Sequence, residues 1–224
     1  NGLFKFNLQT KTFSAIVKDK YGHKLQDKQI TYLYEDTKNR LWIGSDNNLS
    51  VYSVNDDLLE KIPLFSYEIS ESIKFVNCIM EDSRNLIWIG TREGLYVYNE
   101  KANKISHLTV KDGLPNDVIY GILEDELGRI WLSTNYGLSC FSLKNHTFRN
   151  FTVLDGLPSN QFNMYSFCKT SSGKMLFGGI KGIVEFYPEK LIDNPYAPMV
   201  ELTEFYIFNK RVQPNDQTKV LKKH

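Results

Sequence analysis

At 224 residues, with 42% apolar and 13% aromatic side chains, the chain can bury a sizeable core in one large domain or one and a half ordinary ones, and its Tyr and Phe content favours strands. Its 27 basic side chains nearly cancel its 26 acidic ones, so nothing in the charge calls for nucleic acid, an anionic membrane or a strongly charged substrate. The widely spaced Cys78, Cys140 and Cys168 make neither a disulfide framework nor a CxxC metal pair, and no stretch approaches the ~18 apolar residues of a membrane span.

The chain opens on Gly2-Leu3-Phe4-Lys5-Phe6, and this landmark returns four times. The later copies are Asn48-Leu49-Ser50-Val51-Tyr52, Gly94-Leu95-Tyr96-Val97-Tyr98, Gly137-Leu138-Ser139-Cys140-Phe141 and Gly182-Ile183-Val184-Glu185-Phe186. A second landmark precedes each return. It reads Glu35-Asp36-Thr37-Lys38-Asn39-Arg40-Leu41-Trp42-Ile43-Gly44, then Glu81-Asp82-Ser83-Arg84-Asn85-Leu86-Ile87-Trp88-Ile89-Gly90. The third copy is Glu124-Asp125-Glu126-Leu127-Gly128-Arg129-Ile130-Trp131-Leu132-Ser133, and a worn fourth runs Thr170-Ser171-Ser172-Gly173-Lys174-Met175-Leu176-Phe177-Gly178. The period is 43–46 residues with about four short strands in each, the range of β-propeller blades, and no helical periodicity competes with it.

In chain order, residues 1–17 read as strands C and D of a blade. Residues 28–65, 74–110 and 117–153 read as whole four-stranded blades, and 162–187 as strands A to C of another. In the second whole unit, Phe75–Glu81 is strand A, Leu86–Thr91 strand B, Leu95–Asn99 strand C and Lys104–Val110 strand D. The fold class is thus all-β, a partial propeller of three complete and two partial blades within residues 1–190. Because the chain opens inside a repeat, a fragment of a larger propeller is expected, whose raw blade faces meet missing blades or another chain.

The recurrent residues have packing roles first. Trp42, Trp88 and Trp131 sit in strand B, where a large flat side chain fills the space between blades. Gly94, Gly137 and Gly182 suit a positive φ in the B–C hairpin, and Asp36, Asp82 and Asp125 can cap the A–B turn. Paired carboxylates suggest glycoside hydrolysis, but neighbours in a strand point to opposite faces, and these pairs repeat in step with the blades. A catalytic site breaks a repeat rather than following it. His23, His107, His146 and His224 are scattered without ligand spacing, so no metal and no cofactor is expected.

Loops B–C and D–A share one face of a propeller. There Asn47, Arg92, Asn135, Tyr136 and Lys181 differ from blade to blade while their flanks agree. Variable tips on a rigid scaffold commonly carry recognition, and these offer an aromatic face with planar hydrogen-bonding groups; the alternative is ordinary solvated hairpin tips. The competing functional readings are a protein-joining propeller, against which the missing Trp-Asp pair counts, and a propeller lyase or hydrolase.

The units resemble the two-component regulator propeller repeat. The resemblance rests on Glu-Asp-x-x-Gly/Asn-x-Leu/Ile-Trp, on Gly-Leu-x-x-Tyr/Phe, and on Asp112-Gly113-Leu114-Pro115-Asn116 and Asp155-Gly156-Leu157-Pro158-Ser159-Asn160-Gln161-Phe162-Asn163. Residues 191–224, from Asn194-Pro195-Tyr196-Ala197-Pro198 into Val200–Lys210, are similar to a linker and the start of the Ig-like Tyr-Tyr-Tyr domain that follows such propellers. The resemblance implies the periplasmic sensor of a membrane-anchored histidine kinase, often a hybrid system of gut Bacteroidetes that regulates carbohydrate use. It further implies an oligosaccharide or other small-molecule signal and a homodimeric parent. This segment would bind no nucleic acid and would meet the membrane only through segments outside it.

Overall fold

The computed structural model describes residues 2–16, 29–46, 48–53, 55–56, 58–61, 75–191 and 204–212. The chain forms two units, Asn1–Lys190 and Leu191–His224.

The first unit is a series of antiparallel meanders. Strands β1 (Leu3–Asn7) and β2 (Thr12–Ile16) form a hairpin. A four-stranded sheet follows from β3 (Ile30–Glu35), β4 (Arg40–Ser45), β5 (Leu49–Ser53) and β6 (Leu58–Lys61). The next holds β7 (Cys78–Glu81), β8 (Ile87–Gly90), β9 (Leu95–Asn99) and β10 (Lys104–Leu108). The third holds β11 (Ile119–Glu124), β12 (Ile130–Thr134), β13 (Gly137–Ser142) and β14 (Thr147–Phe151). The last has three strands, β15 (Phe162–Lys169), β16 (Met175–Gly179) and β17 (Gly182–Phe186). Strands pair in sequence order within each sheet, giving the propeller arrangement that the repeat predicts.

The core lies between sheets. Trp42 is fully buried against Val76, Ile79, Ile87, Ile89 and Tyr96 of the following blade. Trp88 packs in the same way on Ile119, Ile122, Ile130, Leu132 and Phe141, and Trp131 on Phe162, Met175 and Phe177. One blade's strand B therefore buries its indole only when the next blade is present, so each sheet needs its neighbour. The sheets approach closely at Gly90, where a Cβ would lie 2.5 Å from Cys78 Sγ and 2.8 Å from Ile119 Cγ2.

Strand D of the second whole blade ends earlier than its sequence suggests. It stops at Leu108, and Val110–Asp112 is a 3-10 turn. Thr109 caps that turn by accepting from Lys111 N, the Asp112 carboxylate accepts from Thr109 N, and Gly113 takes φ 111°. This reciprocal capping satisfies amides that would otherwise face outward, so the chain curls rather than continuing a strand. Thr152, Asp155 and Gly156 repeat the device around Val153–Asp155.

In the second unit the described residues hold one hairpin, β18 (Phe205–Ile207) with β19 (Lys210–Val212). The remainder of the expected Ig-like start lies outside the described residues.

Candidate functional site

The two ends of each blade have different chemistry. At the A–B turns the side chains repeat. Asp82 Oδ1 accepts from Arg84 N and Leu86 N, both at 2.9 Å, and its Oδ2 accepts from Trp88 Nε1 at 2.9 Å and from Arg84 Nε. Asp36 does the same with Lys38 N, Arg40 N, Trp42 Nε1 and Arg40 Nε. Asp125 serves Leu127 N, Arg129 N, Trp131 Nε1 and Arg129 Nε. Each aspartate thus folds its own turn and holds the indole in the blade interface. Burial pushes the Asp36 carboxyl up, but hydrogen bonds from Trp42 and Arg40 outweigh it and hold the group below the ordinary carboxylate value.

The glutamates of the same pairs reach backwards. Glu81 accepts from Thr37 N at 2.7 Å and Thr37 Oγ1 at 3.0 Å; Glu124 accepts from Ser83 N at 2.8 Å and Ser83 Oγ at 2.7 Å. Each staples its blade to the preceding one. In the last blade Lys169 takes the glutamate's place, and the residue opposite is Glu126, 2.7 Å away. The joint is kept, but as an ion pair instead of a carboxylate accepting from a hydroxyl and an amide. Adjacent acid residues therefore do not converge on a shared substrate atom: one turns inward to its own turn, the other outward to its neighbour. Among the described residues no cluster of three or more His, Cys, Asp or Glu is placed to hold a metal ion.

The opposite end carries the B–C and D–A segments. Asn47 lies outside the described residues. Arg92 rests its guanidinium 5.0 Å from the centre of the Phe75 ring. Asn135 Oδ1 accepts from Tyr120 Oη at 3.3 Å. Tyr136 is 53% exposed, and Lys181 is exposed. Each described tip is thus engaged within its own blade or open to solvent, and among the described residues no hydrogen bond joins the side chains of two tips. Gly94 takes φ 124° there, where a Cβ would meet His107 Nε2 and Leu108 O, while Gly137 and Gly182 take φ 98° and 113°.

Sequence reasoning missed the inner-strand tyrosines at this end. Tyr32 in β3 and Tyr165 in β15 stack across the arc with ring centroids 6.3 Å apart and an interplanar angle of 14°. Tyr165 sits in an irregularity of β15, where Phe162 pairs with Gly179 and Phe167 with Phe177. The signal was present as a length difference: nine positions separate Pro115 from Glu124, and eleven separate Pro158 from Lys169.

Three stretches, 24–47, 70–93 and 113–136, match the two-component regulator propeller family model. The chain carries two-component regulator propeller repeats. Each stretch runs through strands A and B of a blade with an indole-binding aspartate, the part of the repeat that builds the joints. Over 229 residues the regulator propeller is 30% identical to a segment of histidine kinase P4 from Formosa agariphila, covering 100% of this chain and 17% of that protein. Among solved structures it is similar to the extracellular domain of a protein assigned as a hybrid two-component system from B. thetaiotaomicron. That match has a TM-score of 0.74 at 25% identity, covering 96% of this chain and 30% of that one. Virginiamycin B lyase from Staphylococcus aureus shares the fold alone, with a TM-score of 0.55 at 19% identity over 76% of this chain and 58% of that one. These regulator propeller repeats are thus homologous to part of the extracellular sensor region of histidine kinases.

Proposed function

We propose that this segment belongs to the extracytoplasmic sensor of a two-component histidine kinase, of the hybrid kind. It binds a carbohydrate-derived signal on its B–C and D–A end and takes part in relaying occupancy to a kinase elsewhere in the parent. The observation that carries this reading is the division of labour between the two ends. The A–B end repeats one aspartate–indole chemistry in three blades and keeps the turn in the last, whereas the B–C end varies its side chains at corresponding hairpin positions. The similarity to a histidine kinase and to an extracellular two-component domain supports the placing of the segment in such a receptor.

On this reading the segment acts without turning over its ligand, since the carboxylates that invite a hydrolytic reading are committed to turns and staples. The periplasm is the compartment, residues 191–224 lead into an Ig-like domain, further blades complete the propeller, and the parent works as a homodimer. Calorimetry of the full-length parent against a panel of oligosaccharides tests the reading. Binding of at least one class supports it. Silence across the panel from a folded receptor overturns it, and glycan turnover abolished by one loop substitution overturns its non-enzymatic part.

A further inference from the structure

Among the described residues of the first unit, seven non-glycine residues have positive φ, and five of them have a bland explanation. Asn39 and Asn85 occupy the A–B turn slot that Gly128 and Gly173 fill in the other blades, and Lys11, Asn103 and His146 occupy the C–D turn slot. Phe75 and Tyr165 have no such slot. Both are bulky aromatics, both stand in or just before an innermost strand, and both lie toward the B–C end. A bulky side chain in the left-handed region is uncommon, and such residues persist where the surroundings hold them for a purpose.

Phe75 has a partner that accounts for it: its N–H donates to Asp46 O, and Arg92 lies over its ring. Tyr165 is different. Its φ is 59°, it is 53% exposed, and the two extra residues of the last blade's inner strand lengthen an irregularity that β3 and β11 carry in shorter form. Bulges commonly re-aim a side chain next to a functional site. Here the bulge aims a ring across the arc onto Tyr32 of a blade three sheets away. Tyr32 is itself half-buried, so one face of the pair is supported and Tyr165 presents the other.

We propose that Tyr165, backed by Tyr32, is the surface on which an uncharged sugar ring of the signal stacks. The inference rests on the sensor reading above and names the ligand class for that end of the blades. Both rings of the pair end in a hydroxyl and neither is a cation, so the pair itself offers no charge to meet an anionic ring. A phenol face suits a pyranose, which has an apolar C–H face and a polar rim, and the hydrogen-bonded Tyr120 and Asn135 of the neighbouring sheet are uncharged polar groups. Of the tips with cations, Arg92 lies over Phe75 in the second whole blade, while Lys181 stands between β16 and β17 of the sheet that carries Tyr165, so the anionic probe below reads whether that cation takes part.

Substitution at a left-handed position separates binding from folding. Tyr165→Gly removes the ring and relieves the backbone, so the melting temperature of the chain stays level or rises. In the full-length parent, calorimetry with laminarihexaose and cellohexaose as neutral probes and a galacturonate tetramer as the anionic one reads the outcome. Neutral-probe binding by the parent, with a loss of about tenfold or more in Tyr165→Gly and near-parental affinity in Tyr165→Phe, supports the proposal. Neutral-probe binding that survives Tyr165→Gly overturns it and leaves the sensor reading standing. Preference for the galacturonate also overturns it, because the ligand class is then wrong. Silence toward all three probes from a folded parent overturns the stacking proposal, and the sensor reading falls with it if the wider panel is silent too.

Discussion

The smallest unit of this architecture is one aspartate with four donors around it. Asp36 and its two counterparts each bind two turn amides, an indole N–H and an arginine Nε, so a single carboxylate fixes a turn and orients the largest side chain of the blade joint. The worn copy has Thr170 in the aspartate slot and Leu176 in the tryptophan slot. Thr170 Oγ1 still accepts from Lys174 N, so the turn survives, and with no indole the second oxygen is not needed. Asp36→Asn keeps the shape but sets a donor against two donors, which costs roughly 2–4 kcal/mol at pH 7. The acid dependence follows the same contact. With the Asp36 carboxyl held low in the fold, its stabilisation is present above the unfolded value of about 4 and drains away as pH falls through the folded value. Denaturant unfolding at pH 7 and pH 3 therefore gives a larger acid loss for the parent than for Asp36→Asn; equal losses refute the assignment.

Among the elements, the joints between blades carry the information. Two joints use a glutamate against Thr37 or Ser83, and the third uses Lys169 against Glu126. Lys169→Glu brings two carboxylates together and lowers stability by about 0.5–1 kcal/mol, modest because Glu126 is largely exposed. Adding Glu126→Ser rebuilds the arrangement of the other joints and restores most of the loss. Chemical denaturation of the two variants checks this, and an additive double variant excludes the joint. The strands and joints were legible in the sequence because each Trp and Asp is demanded by packing that recurs in every blade. The capping turns are legible too, in Thr109-x-x-Asp112-Gly113, where the sequence places Asp112-Gly113 in the connection and carries strand D only two residues too far, through Val110. Tyr165 was not legible by residue type, since a tyrosine in a strand is unremarkable. Only the longer interval to Lys169 marked it, and a backbone angle of 59° gave that interval its meaning.

At the scale of the molecule, the first unit is a row of sheets in which each buries its large side chains against the next. The last sheet has three strands, and β17 has no strand beyond it among the described residues. Ile183 on that strand is 68% exposed, and at the other end of the row Phe4 and Phe13 are exposed at 53% and 72%. Unpaired edges with exposed apolar side chains invite association. The 224-residue chain is expected to self-associate with rising concentration, and Ile183→Lys to shift it toward monomer. Sedimentation velocity over a concentration series decides, and a monomeric parent at all concentrations refutes the expectation.

The ion pair between Lys169 and Glu126 has a consequence for inheritance. Arrays of near-identical repeats gain and lose copies by unequal crossing-over, and a joint common to all units makes every such product equally well seated. Here a blade duplicated ahead of the last sheet, copied from the unit that contains Ser83, would set a serine rather than an acid against Lys169. The odd joint thus acts as a lock on blade order, and it weighs against exchanges that would change the number of blades.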